Sequence, residues 1–220
     1  MSFDAVLFDW RGTLVTTLAE PDWVRRALES IGRHAGPEQI ETVLAAIRTV
    51  DHDGRRLDAP GVDADADRHR QTYLGVFAEA GLDPELARSL YAVESDTRHN
   101  PFASDVSEVL RSLHTAGVRI AVVSDIHFDL RPVFADAGLA GLVDVFTLSF
   151  EQGVQKPDRA MFDRTVTALG VDAADALMVG DRSGPDGAAI ESGLTTLLLP
   201  PLRSTDDRRL HRVLALCLPR

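Results

Sequence analysis

Residues 5–13 read Ala5-Val6-Leu7-Phe8-Asp9-Trp10-Arg11-Gly12-Thr13. Four apolar residues without alternation, closed by a carboxylate and a glycine turn, read as a short strand buried on both faces. Four later runs share that character: Val118 to Val123, Val143 to Leu148, Ala176 to Val179 and Thr195 to Leu199. Helical patterns of crossover length separate them, over Leu130 to Ala137, Arg159 to Leu169 and Asp186 to Ser192, and Asp105 to Ala116 leads into the second run. Strand and helix in alternation predict a doubly wound α/β parallel sheet.

The interval between the first and second runs breaks this rhythm. It carries no strand-like stretch and four helical patterns, Trp23 to Arg33, Glu38 to Val50, Asp67 to Ala80 and Glu85 to Val93, with a polar loop at 51–65 broken by Gly54, Pro60 and Gly61. An inserted all-α domain over residues 16–100 is therefore expected, with residues 1–15 and 101–220 forming the core domain. A 220-residue chain is long enough for a core carrying such an insertion. Net charge is −11, which gives no electrostatic support for nucleic-acid binding. One cysteine, Cys217, excludes an internal disulfide and suits a reducing, cytoplasmic setting, and no apolar stretch is long enough for a membrane span.

Ligands of open α/β sheets sit at the carboxyl ends of the strands. Asp9 follows the first run, Ser124-Asp125 the second, and Gly180-Asp181 the fourth, with Asp186 soon after. Lys156, in Gly153-Val154-Gln155-Lys156-Pro157-Asp158 after the third run, is the single lysine beside twenty-two arginines. A compact ammonium fits beside a crowded anion where a planar guanidinium does not. Three carboxylates, a hydroxyl and this ammonium on one sheet edge outline a site for a divalent cation and a phosphate.

These four segments, Leu7 to Leu14, Val122 to Asp125, Gly153 to Asp158 and Val179 to Asp186, together resemble the motifs of the haloacid dehalogenase-like hydrolase superfamily, in order and over nearly the whole chain. The resemblance implies a Rossmann-like core with a C1-type helical cap. It also implies a Mg²⁺-dependent phosphatase of a small phosphorylated metabolite that works through an aspartyl-phosphate. Asp9 is then the nucleophile, Ser124 binds the phosphoryl group and Lys156 neutralises the charge of both. Asp9, Asp181 and the backbone carbonyl of Arg11 hold Mg²⁺, supported by Asp186.

Arg11 departs from the pattern, because family phosphatases carry there a second aspartate that shuttles the proton. A guanidinium stays protonated and cannot do so. Slow alkyl-phosphate turnover follows, and Arg11→Asp is expected to raise it by about 10²-fold. The Arg11 side chain is expected to pair with Asp9 or Asp181, or to bind a substrate carboxylate. The alternatives are a non-catalytic descendant that binds a phosphorylated ligand or a protein, and a dehalogenase-like hydrolase in which Arg11 replaces the metal charge. A phosphonoacetaldehyde hydrolase would need a lysine in the insertion, which has none. His127 is read as a helix cap, with a neutral acid/base as the second reading. His52, Arg55, Arg56, Arg68, His69 and Arg70 are read as solvated faces, and Trp10 and Trp23 as core.

Overall fold

A computed structural model describes residues 3–218, so residues 1–2 and 219–220 of the core segments lie outside the described residues. Five strands, β1 (Ala5–Phe8), β2 (Arg119–Ser124), β3 (Val145–Leu148), β4 (Ala176–Gly180) and β5 (Thr195–Leu198), form one parallel sheet in the order β3-β2-β1-β4-β5. Helices α1 (Glu20–Ser30), α2 (Pro37–Val50), α3 (Ala66–Glu79) and α4 (Pro84–Glu94) lie between β1 and β2. The others are α5 (Val106–Thr115), α6 (Arg131–Asp136), α7 (Ser149–Gln152), α8 (Arg159–Leu169) and α9 (His211–Cys217). Among the described residues no helix is long and apolar enough to cross a membrane.

The central strands β2, β1 and β4 are buried on both faces, whereas the edge strands β3 and β5 are only partly covered, β5 with Leu198 43% exposed, because each has a neighbour on one side alone. Val6, Phe8, Ile120, Val122, Leu177 and Val179 point to one side, against Val109 and Leu113 of α5 and Val213 of α9. Ala5, Leu7, Ala121, Val123, Ala176 and Met178 point to the other, against Met161, Phe162 and Val166 of α8. With β1 between β2 and β4, the residues that follow these three strands become neighbours at one edge. The Asp186 to Ser192 pattern forms a 3-10 helix over Gly187–Ser192 instead of an α-helix. The first four helices bury a separate apolar cluster that includes Val24, Leu28, Leu44, Phe77 and Leu90. Asp65 caps α3 by accepting the Arg68 N–H, and Asp83 caps α4 by accepting those of Glu85 and Leu86.

Candidate active site

Asp9 leaves the end of β1 and is still held in the ladder, since its N–H donates to the Val179 carbonyl at 2.9 Å. Its carboxylate is buried, and Lys156 Nζ donates to Oδ1 at 2.6 Å. The same ammonium donates to Asp186 Oδ1 at 2.6 Å, and no part of the lysine head is exposed. Burial alone would lower the lysine's pKa, but the carboxylates of Asp9, Asp186 and Asp125 outweigh it, so the group is a firm cation. Asp186 is fully engaged, because its Oδ2 accepts the N–H groups of Asp181 and Arg182 at 3.0 and 2.9 Å. Gly180 is required here, since a Cβ would lie 2.3 Å from the Asp186 carboxyl carbon.

Asp9 Oδ2 and Asp181 Oδ1 both approach the Thr13 hydroxyl, at 3.2 and 3.4 Å, so the two carboxylates share one opening. Gly12 permits the approach: its φ is +80°, and a Cβ would stand 2.5 Å from Asp181 Oδ2. Thr13 and Gly12 lie within the quoted first segment, yet their roles need the fold to be seen. Two further residues belong to the site without having been given a role. Asp125 Oδ1 accepts the Lys156 N–H at 2.8 Å, and Arg182 reaches Asp125 Oδ2 at 3.4 Å. Ser124 is buried at the end of β2, one strand over from Asp9.

The donor set suits a divalent cation. Asp9, Asp181 and Asp186 offer carboxylate oxygens within 4.8 Å of one another. The carboxylates, four counting Asp125, face the cations of Lys156 and Arg182, with Arg209 also near Asp181. Burial, opposed by Lys156, raises the Asp9 carboxyl to about 6, and burial followed by Asp186 raises that of Asp181. An added dication would relieve this excess of negative charge.

Arg11 points elsewhere. Its guanidinium donates to Glu94 Oε1 at 2.6 Å and to the Glu94 carbonyl at 2.8 Å, at the end of α4, instead of pairing with Asp9 or Asp181. It also lies over the rings of Trp10 and Phe128, 5.5 and 5.9 Å from their centroids. Glu94 in turn sits 3.5 Å from His127 Nε2 and 3.9 Å from His69 Nε2. His127 is neither a helix cap nor a free base: it is buried, bonds Ser95 Oγ at 2.9 Å and stacks on His69 with centroids 3.5 Å apart. His69 is likewise buried, not on a solvated face, and its ring stacks also on Tyr73. Burial pushes the two imidazoles down, His69 to about 3 and His127 to about 4. Asp63 joins them in a second group with ligand atoms within 4.8 Å. Lone pairs of rings stacked within 12° of parallel cannot converge on one ion, so this cluster is not a metal centre. Trp10 is core as expected, and Trp23 packs on Phe77 and donates to the Leu90 carbonyl.

A buried carboxylate braced by an ammonium at the carboxyl edge of a doubly wound sheet lies where such folds bind their ligands, and it can serve as a nucleophile toward an anionic substrate. The chain belongs to the haloacid dehalogenase-like hydrolases, whose family model matches residues 3–193. It is 28% identical over 187 residues to a phosphoserine phosphatase from Thermus thermophilus, covering 74% of this chain and 75% of that one. It is 33% identical over 104 residues to a ribulose-1,5-bisphosphate 5-phosphatase from Halopiger xanaduensis, covering 46% and 44%. Among solved structures, a HAD phosphatase from Thermococcus onnurineus superposes with a TM-score of 0.59 at 22% identity, over 95% of this chain and 89% of that one. An L-2-haloacid dehalogenase from Xanthobacter autotrophicus does so with 0.64 at 24%, over 92% and 79%. These two structural likenesses concern the fold alone.

Proposed function

We propose that this chain is a Mg²⁺-dependent phosphatase of a small phosphorylated metabolite, with residues 16–100 as a cap over the core formed by 1–15 and 101–220. The observation that carries this reading is the buried Asp9–Lys156–Asp186 chain beside the open Asp181 carboxylate. Lys156 occupies Asp9 Oδ1 and leaves Oδ2 to attack phosphorus. Lys156 offsets negative charge on the phosphoryl oxygens, and the Ser124 hydroxyl donates to one of them. Asp9, Asp181 and the Arg11 carbonyl would hold Mg²⁺, which supplies electrostatic stabilisation of the phosphoryl group. Asp186 acts from behind, fixing Lys156 and the Asp181 amide.

The curated relatives carry phosphatase names, which supports phosphoryl transfer. The commitment of Arg11 to Glu94 removes the cation that a dehalogenase-like reading needs at the metal position. A cavity of about 500 Å³ meets the site at Lys156, Asp125 and Arg182 and is the substrate approach in this reading; Asp9, Ser124 and Asp181 are not among its lining residues. A larger one, about 920 Å³, meets the site only through Arg11 and is otherwise lined mainly by the insertion. A cytoplasmic setting fits such substrates. The test is turnover of alkyl and aryl phosphates with and without Mg²⁺, beside Asp9→Asn. Activity should require Mg²⁺ and vanish in the variant; wild-type turnover by Asp9→Asn would sink the assignment.

A further inference from the structure

We propose that Asp63, on the loop between α2 and α3, is the proton-transfer residue of this site, acting as general acid toward the leaving alkoxide and then as general base toward water. The inference rests on the phosphatase reading and names the group that reading lacks, since Arg11 cannot move a proton and is held by Glu94.

The backbone of residue 63 is fixed to the catalytic edge of the sheet. Gln155, next to Lys156, accepts the N–H groups of Gly61 and Asp63 through Oε1 at 2.8 and 3.1 Å. Ser149 Oγ lies 2.6 Å from the Asp63 carbonyl, as donor to it. The loop therefore hangs on the same segment that delivers the ammonium. The carboxyl itself is left free, because its nearest ring nitrogen, His69 Nε2, is 3.6 Å away and too far for a good hydrogen bond. Its side chain is 28% exposed and lines the cavity of about 500 Å³ together with Lys156, Asp125 and Arg182. A fixed backbone with an uncommitted carboxyl, on a residue that lines the same cavity as Lys156 and Asp125, suits proton transfer.

The charges around Asp63 support the role. It faces His69 on α3, Glu94 on α4, Asp125 after β2, Arg11 after β1 and Asp58 on its own loop. Burial first, then Asp125 and Glu94, raise the carboxyl to about 7, against the pull of Arg11. The neighbouring imidazoles are buried as neutral rings and do not compete for the proton near neutrality.

In the first step the Asp9 oxygen bonds to phosphorus while the ester P–O bond breaks, and the Asp63 carboxyl proton passes to the departing oxygen. Alcohol leaves, and Asp63 is a carboxylate. In the second step that carboxylate takes a proton from water as the water oxygen bonds to phosphorus and the Asp9–phosphorus bond breaks. Phosphate leaves, and both side chains return to their starting states.

The experiment compares wild type, Asp9→Asn, Asp63→Asn, Asp63→Glu and Asp63→Ser on an alkyl and an aryl phosphate across pH. With an acid assigned to Asp63, Asp63→Asn and Asp63→Ser should lose about 10²-fold or more on the alkyl ester and less than about tenfold on the aryl ester, whose leaving group needs no proton. Wild-type kcat/KM on the alkyl ester should fall as the pH rises past the titration of Asp63, a limb absent from both variants, and Asp63→Glu should restore part of the rate and the limb. If the alkyl-to-aryl ratio and the pH profile of the Asn and Ser variants match wild type while Asp9→Asn is inactive, Asp63 is not the proton donor and the phosphatase reading stands. If wild type is inactive, or Asp9→Asn is not, both readings fall together.

Discussion

Arg11→Asp tests what the Glu94 contact is worth. From the sequence, restoring a carboxylate at this position should accelerate alkyl-phosphate hydrolysis by about 10²-fold. The structure changes that expectation. Glu94 is only 13% exposed, and burial would raise its carboxyl; the Arg11 guanidinium holds it below the ordinary range. Arg11→Asp removes both donated hydrogen bonds, leaves Glu94 without its cation and adds a second negative charge to the same wall. Breaking a fully buried pair costs about 3–5 kcal/mol and an exposed one about 0–1, so this half-buried pair, with Arg11 29% exposed, should cost about 1–3 kcal/mol. At about 2–4 °C per kcal/mol for a domain of this size, the unfolding midpoint should fall by roughly 2–12 °C. Turnover should not rise, because the contact that joins the nucleophile loop to α4 is lost. Thermal unfolding of Arg11→Asp, Glu94→Gln and the double variant measures this as a cycle, and the double variant should recover part of the loss, since only the carboxylate introduced at position 11 is then left charged. An Arg11→Asp protein that melts with wild type and hydrolyses alkyl phosphates faster would refute the reasoning.

Two further outcomes are expected. Lys156→Arg keeps the charge but forces a planar fork into a fully buried slot between Asp9 and Asp186, an overpacking worth about 1–3 kcal/mol, so vanadate affinity should drop by about tenfold or more; unchanged affinity would return Lys156 to chance. Asp63→Asn should gain stability relative to wild type, by on the order of a few kcal/mol, as the pH rises from about 4 to about 7. Over that window the folded Asp63 keeps a proton that the unfolded chain has released, so its contribution is full below 3.8 and lost as the pH passes about 7. His69 and His127, with lowered values, oppose this trend in wild type by withholding protons that the unfolded chain binds below 6.5. The difference between variant and wild type cancels that background, and a difference flat with pH would mean that Asp63 is not raised.

The sheet was legible because its central strands are buried on both faces, a condition that leaves unbroken apolar runs such as Val6-Leu7-Phe8 and Val122-Val123. The residues at the strand ends were legible because parallel topology sends them to one edge whatever the details of packing. Asp9, Lys156, Asp181 and Asp186 meet there. Local pattern failed where the partner is remote. α9 is a seven-residue helix whose burial of Val213 and Cys217 depends on docking to the face covered by α5, and nothing in its own sequence announces that docking. His69 sits in the run Asp67-Arg68-His69-Arg70, which reads as a solvated face. Its burial depends on Tyr73, 4 residues after it, and on His127, 58 residues after it, and only the folded chain stacks the three rings. Arg11 illustrates the same limit, since the neighbour that fixes its direction is Glu94, far along the chain.

These remote contacts share a location, and that has a consequence for how the site works. Arg11 to Glu94, His127 to His69, and Gln155 to the 51–65 loop each join a loop at the carboxyl edge of the sheet to the helical insertion. The residues on the core side of these contacts are sequence neighbours of groups in the site: Arg11 follows Asp9 by two positions, His127 follows Asp125 by two, and Gln155 precedes Lys156. A displacement of the insertion is therefore felt by the nucleophile loop, the Asp125 loop and the ammonium loop at once. An aspartate at position 11 would supply chemistry but no comparable tie to Glu94. Arginine makes that tie through two hydrogen bonds and two aromatic faces, and in the proposed mechanism the proton falls to Asp63, which the insertion carries. In that mechanism proton transfer depends on the contacts through Gln155 and Ser149 that fix the Asp63 backbone to the core, so weakening them should lower alkyl-phosphate turnover more than aryl.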